Sequence, residues 1–300
     1  MSSSSAAESV KVFARYRPFN AREKKLGADK RLNMTVDEGQ IMIENEDRMN
    51  KFAFDWVFQE DSTQDQVFDR GAKAQVADIF KGFNGTIFAY GQTGAGKTWS
   101  MMGNRDREDL MGIIPRATMD IFDAISKSGS DTEFTVSVSY LEVYREQIRD
   151  LLDSSGDKAN LKIHEHPSKG IYVDRLTKTF CTSFDDVLDV LAIGDTCRAV
   201  AATNMNATSS RSHCVFTIMV DMRSDEGSTK VGPTALHPRA RPRSLRVHCP
   251  WIAAGRFVLL HLLPLDRPPL LRHSCCCTPS PIALIAHWSS ITRHYAFDRE

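Results

Sequence analysis

Residues 85–103 read GTIFAYGQTGAGKTWSMMG. The first part, TIFAY, is short and wholly apolar, the pattern of a strand buried on both faces. Residues 91–98 then satisfy G-x-x-x-x-G-K-[ST], a loop built to hold a nucleotide's phosphates. A triphosphate packs several negative charges into a small volume. Gly91, Gly94 and Gly96 let the backbone bend so that successive N–H groups face those charges, with Gln92, Thr93 and Ala95 completing the loop. KTWSMM opens a helix whose positive end points the same way. Lys97 supplies a mobile cation for the outer phosphates, and the Thr98 hydroxyl is a ligand for bridging Mg²⁺. A chance glycine-rich turn is the competing reading, and the strand before the loop and the helix after it argue against it.

Working outward, VKVFARYRP (residues 10–18) alternates and then stops at a proline, as a strand entering a loop does. KFAFDWVF (51–58) reads as one further strand. Phe68, Ala72, Val76 and Phe80 recur every fourth residue and mark one face of a helix spanning residues 63–83. GIIPRATMDIFDAI (112–125) is a helix with proline near its start. FTVSVSYLEVY (134–144) alternates strictly, and CVFTIMVDM (214–222) is another strand. SFDDVLDVLAIG (183–194) has a serine cap, acids in its first turn and a glycine stop. Strands alternating with helices around a phosphate loop define an α/β domain, a central mixed sheet with helices on both faces.

The 300 residues carry 38 basic and 38 acidic side chains, but the balance is uneven. Residues 233–300 hold nine Arg, no Lys and three acids, a net +6, leaving −6 on residues 1–232. The same segment has nine of the twelve Pro and six of the nine His, with no periodicity. Two readings compete: residues never selected to fold, as after a frame shift or intron read-through, or a basic tail that binds a partner. The first is favoured, because a basic tail uses Lys and avoids scattered Trp, Phe and Leu. The organisation expected is therefore 1–9 disordered, 10–232 a folded domain and 233–300 a poorly ordered tail. MSSSSAAES lacks the basic start and apolar run of a secretory signal. FVLLHLLPL (257–265) is far too short for a membrane span. Neither membrane nor nucleic acid is an expected partner.

NATSSRSH (206–213) places hydroxyls, an amide, a guanidinium and an imidazole in eight residues before a strand. A polar surface loop accounts for the hydroxyls alone. A loop that senses a terminal phosphate needs the whole mixture.

FNGTIFAYGQTGAGKTWSMMG, GIIPRA, SYLEVYREQIRDLL and TNMNATSSRSH, with RYRP upstream, together resemble the motor domain of kinesins, nearest to conventional kinesins with an N-terminal motor. The resemblance runs from about residue 10 to 232, in family order. It implies an ATPase that uses Mg²⁺ and moves along microtubules, cytoplasmic and associated with the cytoskeleton. Arg15, Arg17 and Pro18 would line the adenine side, and Trp99 would stack on the base. Ser210 would complete the Mg²⁺ shell beside Thr98, and Ser209 and Asn206 would position water and γ-phosphate. Arg211 would latch onto a Glu of the switch II motif, D-L-A-G-x-E.

In the family STKVG leads into a strand carrying that motif. Here STKVG (228–232) is followed by Pro233, and residues 233–300 contain no D-x-x-G. The expected domain is thus incomplete on its C-terminal side, without switch II and the main microtubule-binding elements. A non-motile truncated product, binding nucleotide or tubulin weakly, is the alternative function. RFVLLHLLPLD (256–266) is the one stretch considered as a substitute for the missing strand, and Pro264 argues against it. Oligomeric state is not encoded in any visible coil. Lys162, Lys169, Arg175 and Lys178 flank a hairpin-like stretch that in the family touches tubulin. His164 and His166 read as a surface pair, and Glu142 and Glu146 as charged surface at a strand end and a helix start.

Overall fold

A computed structural model describes residues 10–26, 33–37, 39–45, 48–130, 132–153, 155, 159–166, 170–204, 212–224, 243–252 and 282–290. Strands β1 (Lys11–Tyr16), β5 (Trp56–Phe58), β6 (Asn84–Tyr90), β7 (Thr132–Tyr144), β8 (Gln147–Asp150), β9 (Ala159–Leu161), β12 (Thr179–Cys181), β13 (Ser212–Ser224), β14 (Arg243–Ile252) and β15 (Ile282–Ser290) form one sheet. Its order is β5-β1-β15-β6-β14-β13-β7-β8-β9, with β12 also pairing β7. The sheet is mixed: β1 runs parallel to β5 and β6 parallel to β14, while the other pairs are antiparallel. A separate meander, β2 (Asn33–Asp37), β3 (Gln40–Asn45) and β4 (Arg48–Ala53), and a two-stranded hairpin, β10 (Ile163–His166) with β11 (Gly170–Val173), complete the strands of the described residues.

Among the described residues the α-helices are α1 (Ala21–Lys25), α2 (Gln64–Gly71), α3 (Lys73–Ile79), α4 (Lys97–Met101), α5 (Ile113–Ser126) and α6 (Phe184–Asn204). Helices α2 to α6 pack into one core. Val67, Phe68, Val76, Ile79, Met101, Ile114, Ile121, Val187 and Leu191 meet alternate residues of the sheet: Phe13, Ile87, Ala89, Val136, Val138, Tyr140, Phe216 and Ile218. The opposite parity serves two smaller clusters. Ala14 and Val57 pack on Ile41 of the meander, and Leu141, Val143 and Val215 pack with Ile148 and Leu161.

Four expectations change. The strand expected over 51–58 is two strands in two sheets. The chain crosses between them at Phe54 and Asp55, whose N–H groups donate to the carbonyls of Gly39 and Val12 at 2.9 Å each. The helix expected over 63–83 breaks at Ala72, where φ is −143°, just after Gly71. The helix expected to stop at Gly194 continues ten residues further. Ser183 does cap it, accepting from the Asp186 N–H while Asp186 accepts from the Thr182 and Ser183 N–H groups. Gly194 is not a stop, because the Tyr140 ring fills the space a Cβ would occupy, 2.1 Å away.

The fourth concerns residues 233–300, expected to add little regular structure. Instead Arg243–Ile252 lies parallel to β6 and Ile282–Ser290 lies antiparallel on its other side, so β6 is flanked by both. A buried strand needs partners for its N–H and C=O groups along both edges. The stretch considered for that place, residues 256–266, lies outside the described residues, as do residues 1–9.

Candidate functional site

The phosphate loop follows β6 directly. Gly94 at φ +83° and Gly96 at φ +95° take left-handed backbone that a side chain disfavours, and no atom of the described residues lies within 4 Å of a Cβ built at Gly94. Gln92, Thr93, Gly94, Thr98 and Trp99 are exposed, while Gly91, Ala95 and Lys97 are buried. The Lys97 ammonium donates to the carbonyls of Gly91 and Gln92, at 2.6 Å each. Burial pulls its pKa below the usual lysine value. Both of these acceptors are neutral carbonyl oxygens, so neither cancels the charge of the ammonium. Thr98 sits beside it in the first turn of α4, where N–H groups have no intrahelical acceptor.

The residues expected on the base side divide. Arg17 crosses the loop: its Nε donates to the Gly94 carbonyl at 2.6 Å, and its two terminal nitrogens fork onto Glu23 at 2.8 and 2.6 Å. Pro18 is exposed beside it. Arg15 points into the interior instead. It is 7% exposed and donates to Gln64 Oε1 at 2.8 Å and Ser100 Oγ at 3.0 Å. Burial among neutral acceptors lowers its pKa to about 10. Gln64 in turn donates to the Trp99 carbonyl at 2.8 Å and the Leu110 carbonyl at 3.2 Å. Arg15 therefore supports the helix behind the loop.

Asn206, Ser209, Ser210 and Arg211 lie outside the described residues. Their flanks are described. Arg198 near the end of α6 donates to Ser212 Oγ at 3.5 Å across the two ends of that segment. Glu142 is its counter-ion at 3.4 Å, with Arg149 at 3.6 Å on the other carboxylate oxygen. Glu142 is thus buried, not surface. Glu146 does not start a helix: Arg145 and Glu146, at φ 50° and 64°, form the two-residue turn of the β7–β8 hairpin. His213 Nδ1 is buried without a partner among the described residues, and burial lowers its pKa. His164 stacks on Tyr172 at 5.9 Å across the β10–β11 hairpin. Among the described residues no group of three or more His, Cys, Asp or Glu could hold a metal. Nor is any helix there long and apolar enough to cross a membrane.

Glu23, Gln64 and Arg198 are not singled out by the sequence, and Glu142 reads there only as surface. One of them left a readable signal. Asn20 and Glu23 have the spacing of a capping box, and the structure forms it, with Asn20 Oδ1 accepting from the Glu23 N–H and Glu23 Oε2 from the Asn20 N–H.

Comparison with known proteins adds an independent line. A family model of the kinesin motor domain matches residues 15–237. The kinesin heavy chain of Botryotinia fuckeliana is 44% identical over 228 residues, covering 75% of this chain and 26% of that protein. Kinesin-related protein 3 of Dictyostelium discoideum is 40% identical over 228 residues, covering 75% of this chain and 19% of that protein. Kinesin-1 heavy chain of Rattus norvegicus is 43% identical over 222 residues, covering 74% and 22%. The chain thus spans about a quarter or less of the length of these relatives. Among solved structures, a fast kinesin superposes with a TM-score of 0.75 at 37% identity, covering 87% of this chain and 70% of that one.

Proposed function

This chain belongs to the kinesin motor domain family, and from that premise we propose that residues 10–232 bind Mg·ATP as the nucleotide-handling part of a microtubule motor. The observation that carries the reading is Lys97, a buried ammonium held between the Gly91 and Gln92 carbonyls of an exposed glycine loop. Those residues fit a nucleotide's phosphates. Gly91, Gln92, Thr93, Gly94, Ala95, Gly96 and Lys97 would hold them, with the base on the side of Arg17, Pro18 and Trp99. The Thr98 hydroxyl is an oxygen ligand suited to Mg²⁺, and Ser210 is proposed as the second. When bound, Mg²⁺ supplies charge neutralisation at the phosphate oxygens. Asn206 and Ser209 would position the attacking water and the γ-phosphate, and Arg211 would close the segment. Microtubules are the proposed partner, and the cytoplasmic cytoskeleton the proposed location.

A second reading concerns this chain by itself. Residues 233–300 contain no D-x-x-G, and β14, the strand parallel to β6, contains no Asp or Glu. The acid and glycine that would meet the γ-phosphate opposite Thr98 are therefore not supplied there. The non-motile alternative follows: nucleotide is held, hydrolysis is slow and the track does not accelerate it. Steady-state phosphate release, measured with and without polymerised tubulin, separates the two. The expected result for the 300-residue chain is a low rate unchanged by microtubules. A rate that microtubules raise strongly would show that this chain is a working motor ATPase as it stands, and would overturn the second reading.

A further inference from the structure

Helix α1 is five residues long, too short to persist by its own hydrogen bonds. What holds it is a closed set of contacts that leads into the phosphate loop. Asn20 and Glu23 cap each other, at 2.8 and 2.9 Å. The Glu23 carboxylate then takes the terminal edge of the Arg17 guanidinium in a two-bond fork. The remaining Nε–H of Arg17 donates to the Gly94 carbonyl, and Nη1 donates to the Pro18 carbonyl at 2.9 Å. Arg17 Cδ lies 3.8 Å from the place a Cβ would take on Gly96. One side chain therefore holds the Gly94 carbonyl and stands beside Gly96, and one carboxylate sets where that side chain stands. The pairing is strong enough to hold the Glu23 carboxyl down to about 2, through its hydrogen bond from Arg17.

We propose that Glu23 is a positioning residue for nucleotide binding, acting through Arg17 on Gly94 to keep the phosphate loop in its binding shape before nucleotide arrives. The inference rests on the nucleotide-binding reading above and adds a residue to it. Its physical content is preorganisation: a loop already held in shape loses less entropy on binding and releases its ligand more slowly. Glu23 also occupies the charge of Arg17. The guanidinium is thereby kept on the loop backbone, and Lys97 is left as the cation that meets the phosphates.

The test is the affinity and dissociation rate of N-methylanthraniloyl-ADP with Mg²⁺ on the full chain. Wild type is compared with Glu23→Gln, Glu23→Asp, Arg17→Lys and the double variant Glu23→Gln/Arg17→Lys. Loss of one charge-assisted hydrogen bond predicts that Glu23→Gln weakens binding about tenfold, mainly through faster release. Glu23→Asp keeps the charge on a shorter arm and recovers part of that loss. Arg17→Lys keeps a cation but cannot fork, so it matches Glu23→Gln. The double variant is no worse than either single one, because both changes break the same path. Unfolding midpoints of all the variants are read alongside. Additive losses in the double variant overturn the proposal, as does unchanged release from Glu23→Gln. Losses that follow the unfolding midpoint, with no recovery in Glu23→Asp, also overturn it. Failure of wild type itself to bind the probe would instead overturn the nucleotide-binding reading.

Discussion

At the scale of single residues, glycine and glutamine are used here against their ordinary tendencies, and both uses can be measured. Gly194 lies inside a 21-residue helix, where alanine would normally stabilise by up to about 1 kcal/mol. The Tyr140 ring stands 2.1 Å from the Cβ position, and Tyr140 is itself fixed by an edge contact with Phe216 at 5.4 Å and a hydrogen bond to Asp195 at 3.1 Å. Overpacking of that kind costs about 1–3 kcal/mol, so Gly194→Ala is expected to destabilise the fold rather than stabilise it. The midpoint of urea unfolding checks the sign. Gln75 presents the reverse case. It is 4% exposed, it packs beside Gly85 at the start of β6, and neither atom of its amide has a partner among the described residues. A buried polar group without a hydrogen bond costs about 1–3 kcal/mol. Gln75→Leu, apolar and of similar size, is expected to raise stability by about 1–2 kcal/mol in the same assay. A lower midpoint would mean that the amide finds a partner in solution.

At the scale of elements, the legible parts were those in which one local pattern settles the outcome. Strict alternation marked β7, and the glycine loop marked the junction of β6 and α4. What was not legible depended on a distant partner. The run through Gly194 could not be read as helix without the Tyr140 ring, which comes from β7. The break inside 51–58 required knowing that Asp55 pairs with Val12, both through its N–H and through its side chain at 2.7 Å. The charge on Glu142 looked like surface because its counter-ion Arg198 is 56 positions away, on α6. The β7–β8 turn was missed for another reason: Arg145 and Glu146 are not residues that favour left-handed backbone. Replacing the pair by Asn-Gly removes that strain and should stabilise the hairpin by about 1 kcal/mol. The loss of Arg145 from over the Tyr144 ring, at 5.3 Å, offsets part of the gain. Differential scanning calorimetry of the paired substitution checks this, and a lowered unfolding temperature would contradict it.

At the scale of the whole molecule, the sheet joins segments that lie far apart in the sequence. The phosphate loop hangs from β6, its shape is held by Arg17 just beyond β1, and the flanks of residues 205–211 are tied together by Arg198 and Ser212. Family membership says what such an assembly evolved to do, and Lys97 is where that statement becomes chemistry. Its ammonium sits buried against two carbonyls, with its pKa lowered by burial, so it gains most when phosphate arrives. The direct measurement is a fluorescent-nucleotide titration, with Mg²⁺, of the 300-residue chain and of Lys97→Ala. Saturable binding by wild type is expected, with an affinity about a hundredfold weaker in Lys97→Ala, near the upper end for a charge-assisted contact to phosphate. Equal affinity in the two chains, with both still folded, would contradict it.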